Sequence, residues 1–320
     1  MPQRAGFLFV LAAALAVPSA AAPAAEAPSL NGFPLEPSSI PSGEIHKGGP
    51  PRDGIPALEG PALIPAADAP WDDDEPVIGV QLGGESRAYP YAILVWHELV
   101  NDVLGKQPIL VSYCPLCGTG IVFDRRLEGK PHRFGVSGLL YQSDLLMYDR
   151  ETESLWSQIS AEAVTGPSRG RRLKMLRARI EPWGAWRRRH PDTTVLSPET
   201  GHQRRYGDSP YGDYAVSEDV VERFFPPTRL DRRYHPKMPT LGLRIAGGAA
   251  RAYPASELAQ ADGATNEEFS GHRVRVAYDP EAQVFEVEAP DAIEVIEGYW
   301  FAWIAFHPES SVFRATEDED

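Results

Sequence analysis

The sequence predicts an α+β fold, rich in strand, built as two diverged pseudo-repeats of strands with short helices. Three echoes in the same order predict it. Gly79-Val-Gln-Leu-Gly-Gly-Glu-Ser-Arg87-Ala-Tyr-Pro90 returns as Gly242-Leu-Arg-Ile-Ala-Gly-Gly-Ala-Ala-Arg251-Ala-Tyr-Pro254. Val111-Ser-Tyr113-Cys114-Pro115 returns as Val276-Ala-Tyr278-Asp279-Pro280. Trp183, Trp186, His190 and Pro191 recur at the same spacing as Trp300, Trp303, His307 and Pro308.

The chain begins with Arg4, an apolar run from Gly6 to Val17, and a zone of small residues reaching Ala25. That order is expected of a secretory signal peptide over residues 1–25, which places the mature protein in the periplasm or outside the cell. No cysteine near the cleavage zone offers a lipid anchor, and no later run approaches the ~20 apolar residues of a membrane span. Residues 26–76 are rich in Pro, Gly and Ala, with acids at Asp72, Asp73, Asp74 and Glu75, and read as a draped leader with little helix or strand of its own. The first repeat is expected over 77–200, a connecting segment over 201–239, the second, degenerate repeat over 240–314, and an acidic tail over 315–320.

Each repeat reads as a strand, a Gly-Gly turn, a short strand ending in Arg-Ala-Tyr-Pro, a helix, further strands and a closing helix. Pro90 suits the first turn of a helix carrying Ile93, Leu94, His97, Val100 and Asn101. Pro108–Tyr113 and Gly120–Asp124 are rich in β-branched and aromatic residues, so they read as strands flanking the turn Cys114-Pro-Leu-Cys117-Gly118. The Trp-x-x-Trp-x-x-x-His spacing puts three side chains on one helical face, and the following proline ends the helix. His190 and His307, beside tryptophans in both repeats, read as structural.

Net charge and size narrow the chemistry. The formal charge of -14 would repel nucleic acid and anionic membranes. The nine Lys and Arg between Arg169 and Arg189 read as a solvated face. At 320 residues the chain can bury a core without disulfide staples, so its two cysteines need another explanation. A C-x-x-C pair can cycle between dithiol and disulfide. As a knuckle between strands it can instead supply two thiolates to copper or zinc, with histidines such as His97 and His132 completing the set. An inert disulfide would close too short a loop to stabilise much.

The second repeat keeps the Tyr-x-Pro frame but has Asp279 in place of Cys114, nothing matching Cys117, and Ala261 in place of His97. His97, Cys114 and Cys117 are therefore expected to work together. Tyr113 adjoins the motif, and Ser137, Tyr141, Ser143, Asp144, Tyr148, Asp149 and Gln158 form a run dense in hydrogen-bonding groups that suits a small polar ligand or a loop capping itself. Arg125 is a candidate to stabilise a thiolate or bind an anionic group, or to form an exposed salt bridge. The tryptophans Trp96, Trp156, Trp183, Trp186, Trp300 and Trp303 offer a third reading, a non-enzymatic interaction surface, although most suit a core.

Val111-Ser-Tyr-Cys114-Pro-Leu-Cys117-Gly-Thr119-Gly, then Phe134 to Arg150 and Leu155-Trp156-Ser157-Gln158, resembles the DUF3179 family over roughly Val77 to Ser197. The family brings no reaction with it. The resemblance does imply a preference, because some members look like selenoproteins at a cysteine of this motif, which favours thiol redox chemistry over zinc storage. Cys114 is then the expected nucleophile, Cys117 the resolving thiol, and His97 the group that orients or deprotonates. Redox chemistry with an unidentified small-molecule or protein thiol or disulfide partner needs no cofactor; copper or zinc belongs to the alternative. Nothing in the motif looks like thioredoxin, since Gly118-Thr119-Gly120 leads into an expected strand where thioredoxin would begin a helix.

Overall fold

Backbone pairing gathers most strands into five sheets, which a computed structural model arranges as the blades of a five-bladed β-propeller; the structure describes residues 28–215, 217 and 227–316. The first blade runs, in spatial order, Arg179–Pro182, Pro76–Leu82, Glu85–Pro90, Thr194–Leu196 and Leu63–Pro65. The second runs Lys174–Leu176, Thr119–Asp124, Gln107–Cys114, Leu99–Leu104 and Leu58–Glu59. Glu162–Ala163, Leu155–Ser157, Asp144–Asp149, Phe134–Tyr141 and Ile45–Lys47 make the third. The fourth contains Glu294–Tyr299, Pro239–Arg244, Ala250–Pro254 and Ser311–Val312, and the fifth Ala264–Phe269, His272–Asp279 and Val284–Glu288.

This corrects the expected α+β class and its two-repeat architecture. The chain is 43% strand and 12% helix. Among the described residues, four α-helices of six or seven residues, α1 (Tyr91–His97), α2 (Trp183–Arg189), α3 (Ala255–Gln260) and α4 (Trp300–Phe306), are too short to form a covering layer. The expected first helix was too long for a concrete reason. Glu98 has φ of 57°, which breaks the helix after His97 and sends Val100 and Asn101 into the Leu99–Leu104 strand. The third blade has no sequence echo, so a count of repeats missed it.

The echoes do land on matching places. Glu85–Pro90 pairs parallel with Thr194–Leu196, and Ala250–Pro254 pairs parallel with Ser311–Val312. A Cβ on Gly79 would stand 2.3 Å from the Trp186 ring, and one on Gly242 2.0 Å from the Trp303 ring. Each glycine is there because a tryptophan lies flat on the strand. His190 and His307 stand just past their helices and stack on those tryptophans at centroid distances of 4.1 and 4.2 Å, as packing residues do.

Residues 28–76 also depart from expectation. They supply edge strands to three blades and bury Phe33, Leu35, Ile45 and Leu58. Strands of two or three residues fit between the prolines and still satisfy an open sheet edge, a pairing that composition alone does not reveal. The expected signal peptide and residues 317–320 of the acidic tail lie outside the described residues, as do 216 and 218–226 of the connecting segment. Among the described residues no helix is long and apolar enough to cross a membrane. The largest apolar cluster joins the second and third blades to α4 through Leu110, Phe123, Phe134, Trp156, Trp300 and Phe301, and Cys114 and Cys117 sit within it.

Candidate functional site

The cysteine turn is built by strand pairing. Cys114 ends one strand of the second blade and faces Thr119, which begins the next, so residues 115–118 form the connecting turn. Gly118 closes the turn at φ of +63°, a conformation only glycine adopts freely. Parts of the chain distant in sequence fix it. The Tyr299 N–H donates to the Cys117 carbonyl at 2.8 Å, and the Tyr214 hydroxyl donates to the Leu116 carbonyl at 2.9 Å. Beneath it Thr119 Oγ1 donates to Gln158 Oε1 at 2.7 Å, and Gln158 Nε2 donates to Ser112 Oγ at 2.9 Å.

Both sulfurs point at one backbone carbonyl of the third blade. Cys117 Sγ lies 3.3 Å and Cys114 Sγ 3.9 Å from the Ser143 oxygen, in the hairpin turn where Gln142 and Ser143 have φ of 52° and 66°. The next residue is Asp144. Its Oδ2 accepts from the Ile159 N–H at 3.1 Å, while Oδ1 is buried without a hydrogen-bond partner among the described residues. One atom each from Cys114, Cys117 and Asp144 lie within 4.8 Å of one another.

Burial governs the protonation of this cluster. Removal from water pushes the Asp144 carboxyl up to about 7, against the opposing pull of the Ile159 and Leu145 backbone N–H groups. Burial raises the Cys114 thiol as well, and raises Cys117 further, where Cys114 and Asp144 add to the effect. Both sulfurs therefore rest as thiols near neutral pH, and the carboxyl beside them changes charge in the same range.

Cys114 also reaches an apolar cavity of about 310 Å³ lined by Leu116, Leu140, Glu98, Tyr211 and Tyr214 among others. Glu98 is buried, accepts the Tyr211 hydroxyl at 2.8 Å, and is pushed up to about 7 by loss of solvent. Its backbone carbonyl accepts the Tyr113 N–H at 2.8 Å, which sets it one residue across the ladder from Cys114.

Of the sequence-predicted residues, the structure brings together Cys114, Cys117, Ser143 and Asp144. It does not bring His97. That ring is buried with Nδ1 against the Pro56 carbonyl at 2.7 Å and Nε2 against the Tyr206 hydroxyl at 2.8 Å, and burial drives it down to about 4. It braces α1 and is absent from the sulfur cluster. The ligand set Cys114, Cys117, His97 and His132 is likewise not assembled, because His132 sits 3.2 Å from Asp149. Asp149 there also receives the Trp156 indole and the Thr152 hydroxyl, and this group ties the third blade together.

The remaining candidates bond within the scaffold. Arg125 donates to the Ile109 and His132 carbonyls, which ties its guanidinium to backbone. Ser137 donates to the Leu146 carbonyl at an irregularity in its strand, and Tyr141 packs edge-on against Phe306. Tyr113 is buried against Tyr91 at 4.1 Å, Tyr148 donates to Asp53, and Gln158 underpins the turn. Sequence reasoning missed Glu98, Tyr211 and Tyr214. A signal existed for Glu98, a charge next to His97 in the otherwise apolar stretch Ala92 to Val100; the tyrosines lay in a connecting segment with no pattern to mark them.

Comparison with known proteins bears on the same region. No curated protein and no solved structure gives a significant match. A profile described as "Protein of unknown function (DUF3179)" matches residues 52–310, which takes in the cysteine turn, residues 52–76 of the leader, the fifth blade and all of the fourth but its Ser311–Val312 strand. With that match covering most of its length, the chain belongs to the DUF3179 family.

Proposed function

We propose that this is an extracytoplasmic thiol–disulfide redox protein in which Cys114 and Cys117 exchange electrons with a substrate disulfide. The observation that carries it is the convergence of two thiols and the Asp144 carboxyl within 4.8 Å, with Cys114 on the wall of a cavity. Export rests on the charge, apolar run and small-residue zone of residues 1–25.

The chemistry follows from the protonation states. Asp144 takes the Cys114 proton, and the thiolate attacks one substrate sulfur, forming a Cys114–substrate disulfide; the first substrate thiolate leaves and regains the proton from Asp144. Cys117 then loses its proton to Asp144 and attacks the Cys114 sulfur. The Cys114–Cys117 disulfide closes and the second substrate thiol departs with that proton. The substrate gains two electrons and two protons, the pair loses them, and an external dithiol resets it. Asp144 takes the place expected of His97, because a carboxyl near 7 is a fitting base at neutral pH.

One observation favours a second reading. The orphaned Asp144 Oδ1 with the two sulfurs would give copper or zinc three ligand atoms and leave a position open. Metal content and alkylation mass, measured together on the exported protein before and after mild reductant, separate the two. Redox function predicts a metal-free pair whose disulfide opens with reductant, and a Cys117→Ser chain that accumulates a mixed disulfide on Cys114. Stoichiometric metal protecting both thiols supports the second reading. Free thiols that neither exchange nor bind metal sink both.

A further inference from the structure

The cavity beside Cys114 has a chemical character of its own. Its wall is almost entirely aliphatic and aromatic, and neither Lys, Arg nor His lines it among the described residues. Its one carboxyl is Glu98, which the Tyr211 hydroxyl engages through a single oxygen. A carboxylate offers about four acceptor sites, so capacity remains for a donor arriving through the cavity. The other ionisable groups facing this space are Cys114, Tyr211 and Tyr214, with Asp144 and Cys117 behind the first sulfur. All are neutral or negative when they titrate. Among the described residues no cation lines the wall, Lys237 standing behind it at 4.3 Å over the Tyr214 ring, and in an apolar enclosure the sign of a guest's charge weighs more than it would in water.

We infer that the cavity selects small aliphatic disulfides ending in an ammonium or a similar hydrogen-bond donor, Cys114 meeting the disulfide and Glu98 the donor. This rests on the redox reading above and adds the substrate class to it. Geometry supports the two-point contact. Glu98 stands just before the Leu99–Leu104 strand, its carbonyl bonded to the N–H of Tyr113 next to Cys114, and both residues line the same cavity, so one short guest can span both. At about 310 Å³ the space lies near the small end of ligand sites, roughly 300–1,000 Å³, which suits a compact guest over a bulky peptide. Anionic disulfides would meet an uncompensated buried carboxylate and are turned away.

The test is a single-turnover oxidation of the reduced full-length chain by cystamine, bis(2-hydroxyethyl) disulfide and dithiodiglycolate, read by alkylation mass. Each rate is divided by that of the same probe with free dithiothreitol, which removes intrinsic reactivity. Cystamine is expected to exceed dithiodiglycolate by about tenfold or more at pH 8, with the neutral probe between, since tenfold corresponds to only ~1.4 kcal/mol. In the wild-type chain that ratio grows from pH 6 to pH 8 as Glu98 ionises. Glu98→Gln brings it toward unity. Equal rates, or faster reaction of the anion, overturn the substrate class and leave the redox reading standing. If none of the three probes oxidises a pair that still alkylates, the redox reading falls and the substrate class with it.

Discussion

Asp144 carries the chemical argument at the scale of single residues. The sequence marked it as one polar group in a dense run, and what sets it apart is the absence of solvent and of a partner for one oxygen. If it is the base for Cys114, Asp144→Asn should slow alkylation of Cys114 at pH 7 by ~10-fold or more and remove the inflection near 7 from the pH profile. An unchanged profile would eliminate it. Glu98→Gln serves as the comparison, because Glu98 titrates in the same range from the cavity side. His97 shows why residue-level reading failed there. The second repeat has Ala261 in its place, but its partners Pro56 and Tyr206 lie 41 and 109 residues away, and these bonds give it a bracing position that the sequence does not show.

Elements are held by close approaches that a sequence records only as glycine. Gly79 and Gly242 each leave room for a tryptophan ring from the helix that closes their blade. Gly242→Ala would drive a Cβ to 2.0 Å from Trp303 and should cost about 1–3 kcal/mol or more in urea unfolding, as overpacking does. Gly118→Ala should act differently. There a Cβ meets the Tyr299 ring at 3.0 Å and the backbone needs φ of +63°, so a cost of about 1–3 kcal/mol falls on the cysteine turn itself. We expect Gly118→Ala to alter the Cys114 alkylation rate and Gly242→Ala to leave it near the wild-type value while lowering the urea midpoint. The same rate change in both variants would argue against a locally held turn. Three of the short helices are legible from Pro90, Pro182 and Pro254 at their starts, and the ends of α2 and α4 from Pro191 and Pro308 beyond them; the early end of α1 at Glu98 is not.

Across the whole molecule, buried and half-buried acids make stability depend on pH in an unusual direction. Asp144 and Glu98 rise to about 7 and Glu297 to about 8, so each binds a proton in the folded state that it has lost when unfolded. Their contribution is full below their unfolded values and is lost as pH climbs through the folded ones. His97 and His307, lowered to about 4 and 3, act oppositely, but their effect is complete by about pH 6.5. Above that only the acids count, and the melting temperature should fall between pH 6.5 and pH 8, with Asp144→Asn and Glu98→Gln each flattening the slope. A rising or level curve would show that these carboxyls are solvated. Removing residues 28–76 should lower the melting temperature and promote association, because it strips edge strands from three blades and Pro50 and Ile55 from the cavity wall. A deletion that melts like the full chain would return that segment to the role of a loose leader.

By itself the sequence determined the strands flanking the cysteine turn, the prolines that start the helices, the echoed frame of two blade pairs, the family resemblance and the closeness of the two cysteines in one turn. The strands, turns and helix starts depend on neighbours within about a dozen residues, where turn chemistry and alternation act directly, and the echo and the resemblance need only comparison of such short stretches. Tertiary structure alone decided that the sheets close into five blades, that residues 28–76 complete three of them, and that Asp144 and Glu98 stand beside the thiols in place of His97. Each of those outcomes rests on pairing or burial between segments far apart in the chain. The free energy of a buried carboxyl is set by what surrounds it in space, and adjacency along the chain carries no record of that.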